Sequence, residues 1–272
     1  MYVGCPGSPD DFKGCTLILP AVSVGNIGQL SVDLLVTTLE LVKVGYIHSE
    51  CVLPVCGNDP FNTDKKRTEG NLATSTEVYF SAANNLVVVQ QRAPLVKGKH
   101  ADYCNGLIDW ITSFQFDKVI MLTSSHAYER LDSQLQGSSF RYIATPKLEK
   151  IIGDQMKDEL KWCRLENRDS TWCNEHKNET SKISSGVFIP GGGIAKRLYT
   201  QCCNKDISMA VLLVFCSEGD NISDALSLTT YLNHWLKVIP TKDPSDVTSS
   251  RVWQIPKSWS LLFGSTFDKS IY

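Results

Sequence analysis

The stretch AVSVGNIGQLSVDLLV, residues 21–36, decides the fold because it leads from an apolar strand into an apolar helix. The strand is predicted over residues 16–22, and Gly25 and Gly28 mark the turn between the two elements. Nucleotide-binding proteins build phosphate loops at such junctions, since the first N–H groups of the helix point out of the turn. The stretch predicts an α/β protein and leaves two alternatives open, a nucleotide site or a tight corner.

Strand and helix patterns alternate along the rest of the chain. Apolar, β-branched runs predict further strands at residues 44–48, 77–81, 86–91, 118–123, 187–189 and 209–216. Helical spacing of apolar residues predicts helices at residues 26–42, 101–114, 146–160 and 223–239. This alternation predicts a mostly parallel central sheet flanked by helices. The two short strands within residues 77–91 predict a hairpin instead.

Domain organisation follows from the same patterns. Residues 1–272 are predicted to form one α/β domain, since 272 residues without an internal repeat suffice for one large core. Polar insertions are predicted near residues 57–71 and 163–185. Residues 252–272 form an aromatic tail, and a tail this apolar is expected to pack on the chain's own core or on another chain.

Charge and hydropathy exclude several function classes. The net charge is -2 and the chain has no long basic run, so no strong field attracts nucleic acid or an anionic membrane. No apolar run approaches the ~18 residues that a membrane-spanning helix needs. The first residues lack the basic and apolar regions of a secretory signal, which predicts that the chain stays out of the secretory route.

The ten cysteines predict reduced thiols. Cys15, Cys104 and Cys216 lie within apolar patterns, as small buried side chains do in a reducing compartment. The remaining cysteines lack the paired CxxC spacing of a zinc site, so no metal is predicted.

Polar residues follow several predicted strands, where α/β proteins bind ligands. These residues are Gly25 to Gly28, Ser124-Ser125-His126, Gly191-Gly192-Gly193 and Glu218 to Asn221. The glycines, the Ser–His pair and the two carboxylates together support one hypothesis, a phosphorylase-like or hydrolase-like enzyme.

Each of these features also has a structural explanation. The glycine spacing is GxxG and lacks both GxGxxG and GK[ST], Gly25 fits a tight corner, and Asn26 fits a helix cap. Ser125 and His126 are adjacent in sequence, and neighbouring side chains rarely face each other as a nucleophile and its base must. On residue chemistry alone, a domain without catalysis remains the default.

Longer blocks of the sequence carry a resemblance. They are PAVSVGNIGQLSVDLLV (residues 20–36), MLTSSHAYERLDSQL (121–135), FRYIATP (140–146), IPGGGIAKRLY (189–199), SEGDNISDAL (217–226) and IPKSWSLLFGS (255–265). In this order they resemble the PAC2 family of proteasome assembly chaperones. The resemblance covers nearly the whole chain and is weakest at residues 163–185.

The resemblance implies a nucleoside-phosphorylase-like α/β fold without catalysis or cofactor. It implies an obligate heterodimer with proteasome assembly chaperone 1 that binds proteasome α-type subunits. Such a dimer promotes assembly of the 20S α-ring and prevents off-pathway pairing of α-rings. The implied location is the cytoplasm and nucleus, and under this reading the turn at Gly25 and Gly28 is only a corner.

Contacts with partner proteins are predicted in the aromatic tail. The candidates are Trp253, Trp259, Phe263, Phe267, Ile271 and Tyr272. Proteins that dock on the α-ring often end in a hydrophobic residue, Tyr and any third residue, and here Ile271-Tyr272 supplies the first two only. Insertion of this pair into an α-subunit pocket and a loosely ordered terminus are both open.

Overall fold

The fold was analysed in a computed structural model that describes residues 1–9, 11–61, 71–166, 187–239 and 253–261, with backbone only for 260 and 261. Its strands are β1 (Tyr2–Gly4), β2 (Thr16–Pro20), β3 (Val42–Ile47), β4 (Cys56–Asn58), β5 (Leu72–Thr74), β6 (Thr76–Ser81), β7 (Leu86–Gln91), β8 (Lys118–His126), β9 (Phe140–Ala144) and β10 (Met209–Cys216). Its α-helices are α1 (Ile27–Thr38), α2 (His100–Ser113), α3 (Pro146–Asp154), α4 (Ala195–Asn204) and α5 (Ile222–Leu236).

Eight of the strands form one mixed sheet in the order β1-β3-β6-β7-β2-β8-β10-β9. The four central strands β7, β2, β8 and β10 are parallel. The outer pairs are antiparallel, including the β6–β7 hairpin. Strands β4 and β5 form a separate two-stranded hairpin. The predicted fold class and the hairpin at residues 77–91 are therefore confirmed.

Helices cover both faces of the sheet. Helices α2 and α4 pack on one face, against strand residues such as Val119 and Met121. Helices α1, α3 and α5 pack on the other face, against residues such as Ile120 and Leu122. Successive residues of β8 thus enter opposite cores, which explains why residues 119–122 are apolar without alternation.

Two element ends differ from the sequence prediction for backbone reasons. The helix predicted to reach residue 42 ends at Thr38, because Glu40 adopts a left-handed conformation with φ 48°. Leu41 N–H then bonds to Val36 O at 3.1 Å, as in a Schellman motif, and β3 begins at Val42. The helix predicted to reach residue 160 gives way after Asp154 to a wider π-type turn at Gln155–Glu159.

Two strand predictions are also corrected. Residues 187–189 form no strand in the described structure, although Val187 and Ile189 are buried as their apolar character predicts. Strand β9 was not predicted, and it adds to the sheet antiparallel to β10. Of the predicted polar insertions, residues 62–70 and 167–186 lie outside the described part of the chain.

Candidate functional site

The turn between β2 and α1 is shaped by close contact with the chain itself. Gly25 has φ 64°, and a Cβ atom there would collide with the Asn221 side chain. A Cβ at Gly28 would collide with the carbonyl oxygen of Leu122 in β8. Asn26 precedes α1 in a left-handed conformation, and its side chain makes no capping hydrogen bond, which corrects the predicted cap. Both glycines thus permit a tight approach of the turn to its neighbours.

Hydrogen bonds within the chain occupy the polar groups of this turn. Ser23 Oγ lies 2.8 Å from Ser124 Oγ and accepts the Ser124 N–H at 3.2 Å, while Ser124 Oγ donates to Val24 O. The Val24 N–H donates to Gly191 O at 3.1 Å. The turn after β2, the C-terminal end of β8 and the glycine segment 191–193 are therefore bonded to one another and close the strand-end crevice.

Ser125 and His126 make separate contacts and are not hydrogen-bonded to each other in the described part of the chain. Ser125 is fully buried, and its Oγ donates to Pro190 O at 2.8 Å. The His126 ring stacks on Tyr128 with 4.7 Å between ring centroids. Successive residues of a strand point to opposite faces, which explains the separation.

Asp220, Asn221 and the Cys216 thiol near the end of β10 have structural partners as well, while Glu218 is exposed. Asp220 Oδ1 accepts the Ile222 N–H at 3.1 Å and so caps α5. Asn221 Nδ2 donates to Ser217 O at 2.9 Å and to Asp224 Oδ2 at 3.1 Å. Burial raises the pKa of the Cys216 thiol to about 11, with a smaller contribution from Asp224, so this thiol is protonated at neutral pH.

Replacing Ser125 by Ala is expected to lower the free energy of unfolding by about 1 kcal/mol, because Pro190 O loses its hydrogen-bond donor. Urea denaturation measures this loss. Ser113→Ala is the matched control, since Ser113 is exposed and donates to a carbonyl of its own helix at 2.8 Å. Equal stability of the Ser125 variant and the parent chain would contradict a structural role for this hydroxyl.

Exposed apolar side chains border the closed crevice. We define the crevice rim as Tyr128, Leu135 and Phe188, which are 78%, 59% and 37% exposed. Tyr128 covers His126, and Phe188 lines a small cleft together with Pro190 and Gln134, the residue before Leu135. The mouth of the crevice thus offers apolar contact area.

A second exposed apolar surface lies on the hairpin of β4 and β5. We define the hairpin arm as Leu53, Val55 and Leu72, which are all exposed. The Lys43 ammonium donates to Leu72 O at 3.3 Å and to the buried Glu77 carboxylate at 3.1 Å. The bond to Leu72 O links the arm to strand β3, while the bond to Glu77 lies between β3 and β6 of the main sheet.

The described part of the aromatic tail packs on the chain's own core. Trp253 and Trp259 are each only 6% exposed. Trp253 Nε1 donates to Thr230 Oγ1 of α5 at 3.0 Å, and the Gln254 N–H donates to Thr38 Oγ1 of α1 at 2.9 Å. The tail is expected to pack either on the chain's own core or on another chain, and these two indoles pack on the chain's own core. Phe263, Phe267, Ile271 and Tyr272 lie outside the described residues.

No metal or membrane site emerges from the described residues. Across residues 1–61, 71–166, 187–239 and 253–261, apart from position 10, no three His, Cys, Asp or Glu side chains come together as ligands. The helices in these ranges are too short or too polar to cross a bilayer. The nine cysteines of the described chain carry free thiols, and Cys15, Cys104 and Cys216 are buried as predicted.

Together these observations define a class, an α/β protein whose strand-end crevice is closed by its own loops and bordered by exposed apolar residues. The PAC2 family model matches residues 17–240, and the chain belongs to the PAC2 family. Its relatives include human proteasome assembly chaperone 2, 43% identical over 283 residues that span all of both chains. The Xenopus tropicalis protein of that name is 43% identical over 267 residues, 98% of each chain.

Solved structures support the fold. Pyrococcus furiosus PbaA, an archaeal homologue of proteasome-assembly chaperone, has a TM-score of 0.61 at 15% identity, covering 90% of this chain and 89% of that one. Pyrococcus furiosus PbaB, an archaeal proteasome activator, has a TM-score of 0.57 at 15% identity, covering 91% and 92%. The family model and the full-length relatives confirm the resemblance to the PAC2 family read from the sequence.

Proposed function

We propose that this protein is a non-catalytic assembly chaperone of the proteasome. It forms a heterodimer with proteasome assembly chaperone 1, binds α-type subunits, promotes assembly of the 20S α-ring and prevents off-pathway pairing of α-rings. It acts in the cytoplasm and nucleus. The observation that carries the proposal is full-length identity of about 43% to relatives named proteasome assembly chaperone 2.

The geometry supports a role in binding rather than in turnover. Ser125 and the turn at Gly25 are occupied by contacts within the chain, whereas apolar residues face outward on the crevice rim and the hairpin arm. A stable protein–protein interface buries about 1,600 Å² with an apolar centre. These two surfaces are the described parts of the chain that best supply such a centre.

Co-expression tests the heterodimer. Expressed with proteasome assembly chaperone 1, the chain is expected to co-purify as a 1:1 complex and to give a higher soluble yield than alone, because the partner covers apolar surface. Size-exclusion chromatography with light scattering measures the stoichiometry, and co-expression of an unrelated soluble protein is the control. A soluble homo-oligomer that excludes the partner would contradict the proposal.

We propose further that Ile271 and Tyr272 contact an α-type subunit. Substituting both by Ala is expected to weaken the affinity for α-type subunits about tenfold or more, since a buried aromatic anchor contributes about 2 kcal/mol or more to binding. Isothermal titration calorimetry measures the change. Substituting Ser270 and Lys269 by Ala is the neighbouring control, and equal affinity of both double variants would contradict the contact.

A further inference from the structure

A basic groove lies between the N-terminal halves of α2 and α4 and includes Gly193 of the glycine segment. Its volume is about 530 Å³. The lining residues are His100, Gly193, Ile194, Lys196, Arg197, Thr200 and Gln201. Helix α2 contributes the imidazole of His100, and the exposed face of α4 contributes both cations.

The positive charges of this groove are not neutralised within the described chain. Lys196 and Arg197 are exposed, and neither has a carboxylate within ion-pair distance in the described ranges. Lys99, one residue before His100, provides a contrast because it pairs with Asp102 at 3.0 Å. No acidic residue is among those that line the groove. The groove is thus locally basic in a chain whose net charge is -2.

Contacts within the chain preorganise the two helices that form the groove. Gln201 Nε2, which lines the groove on α4, donates to the exposed Asn105 Oδ1 of α2 at 2.6 Å, which links the two helices beside the groove. Ile194 and Leu198 are buried beneath the exposed cations and anchor α4 to the core. A preorganised site loses less conformational entropy on binding than a mobile one, so few contacts suffice for measurable affinity.

We propose that this groove binds an acidic segment of a partner polypeptide. The planar Arg197 guanidinium is suited to a carboxylate in bidentate geometry, and the Lys196 ammonium supplies a second, less directional contact. Nucleic acid fits less well, because binding to phosphates draws on many cations along an extended track. Two cations and one histidine on a net-acidic chain match a short run of carboxylates instead.

The test uses the full chain and a labelled Glu-rich peptide of about twelve residues, with the Gln-rich peptide of the same length as neutral probe. Fluorescence anisotropy is expected to show binding of the acidic peptide, weakening as salt is raised, and no binding of the neutral one. Replacing Lys196 and Arg197 together by Glu is expected to weaken the affinity at least tenfold. Thermal unfolding of this variant should match that of the parent chain, since both side chains are exposed.

The matched control reverses the same number of charges elsewhere. Lys150 and Lys157 are exposed and belong to the segment that packs on the opposite face of the sheet. Their joint replacement by Glu is expected to leave peptide affinity within about twofold of the parent. Equal loss in both double variants, no binding by the parent chain, or tighter binding of single-stranded DNA of equal charge would each overturn the inference. None of these outcomes bears on the proteasome proposal, because the probe contains no proteasome subunit.

Discussion

Gly28→Ala is expected to lower the free energy of unfolding by about 1–3 kcal/mol, the usual cost of forcing a methyl group into a packed site. The new Cβ would collide with Leu122 O, which already accepts the Ala21 N–H at 2.9 Å. Strand β8 cannot retreat, because β2 and β10 pair with it on both sides. Urea denaturation measures the loss, and the slope of the unfolding free energy against urea concentration is expected to stay unchanged.

Gly57→Ala is the control for this substitution. Gly57 lies in β4, where an added Cβ meets no atom within 4 Å, so the expected change is within about 0.5 kcal/mol. The partner affinity of the folded fraction should be retained in both variants. Equal stability of the Gly28→Ala and Gly57→Ala variants would contradict the close approach of α1 to β8. It would also contradict the interpretation of the turn in residues 21–36 as a tight corner.

Trp253→Ala is expected to lower the free energy of unfolding of the isolated chain by roughly 3–5 kcal/mol, as for other large-to-small changes in a core. The indole is almost fully buried and its Nε1–H donates to Thr230 Oγ1. Differential scanning calorimetry of the chain alone measures the effect.

Trp253→Phe separates packing from hydrogen bonding at this position. It keeps most of the apolar volume and loses the donor, so a loss of about 1 kcal/mol is expected. The opposite pattern would be an unchanged melting temperature for Trp253→Ala together with lost partner binding. That result would move Trp253 from the chain's core to an interface and would contradict the burial described here.

The sequence predicts the central strands well because burial on both faces of the sheet determines their apolar pattern. Strands β2, β8 and β10 are buried on both faces, so each contains an apolar run without alternation that marks its position in the sequence. The turn at Gly28 is not decided by its residues alone, and the close approach to Leu122 O shows it to be a tight corner. The intervening helices follow from their apolar spacing.

The edges of the fold are less readable because they depend on tertiary contacts. Strand β9 contains Arg141, a residue that is 2% exposed and donates to Ser138 O and Phe140 O. An arginine in a short run does not suggest a buried strand, and only the neighbouring β10 makes it one. Similarly, Phe12 is fully buried against Tyr2 and Phe114, a cluster that joins residues far apart in sequence.

For the candidate site, the sequence indicates only which catalytic or nucleotide-binding motifs are missing. The sequence lacks GxGxxG spacing and places Ser125 and His126 next to each other, which does not favour a nucleophile–base pair; in the structure Ser125 bonds to Pro190 O and His126 stacks on Tyr128. The crevice rim and the basic groove have no sequence motif. Exposure of Tyr128 and the meeting of His100 with Arg197 arise from the packing of distant segments.

We propose that the protein assists proteasome α-ring assembly by contact alone. Native mass spectrometry of α-type subunits, mixed with the purified heterodimer of this chain and proteasome assembly chaperone 1, tests it most directly. Single α-rings carrying the heterodimer are expected to accumulate, with fewer paired rings than in the mixture without it. An unchanged distribution of rings, with no heterodimer bound to any of them, would contradict the claim.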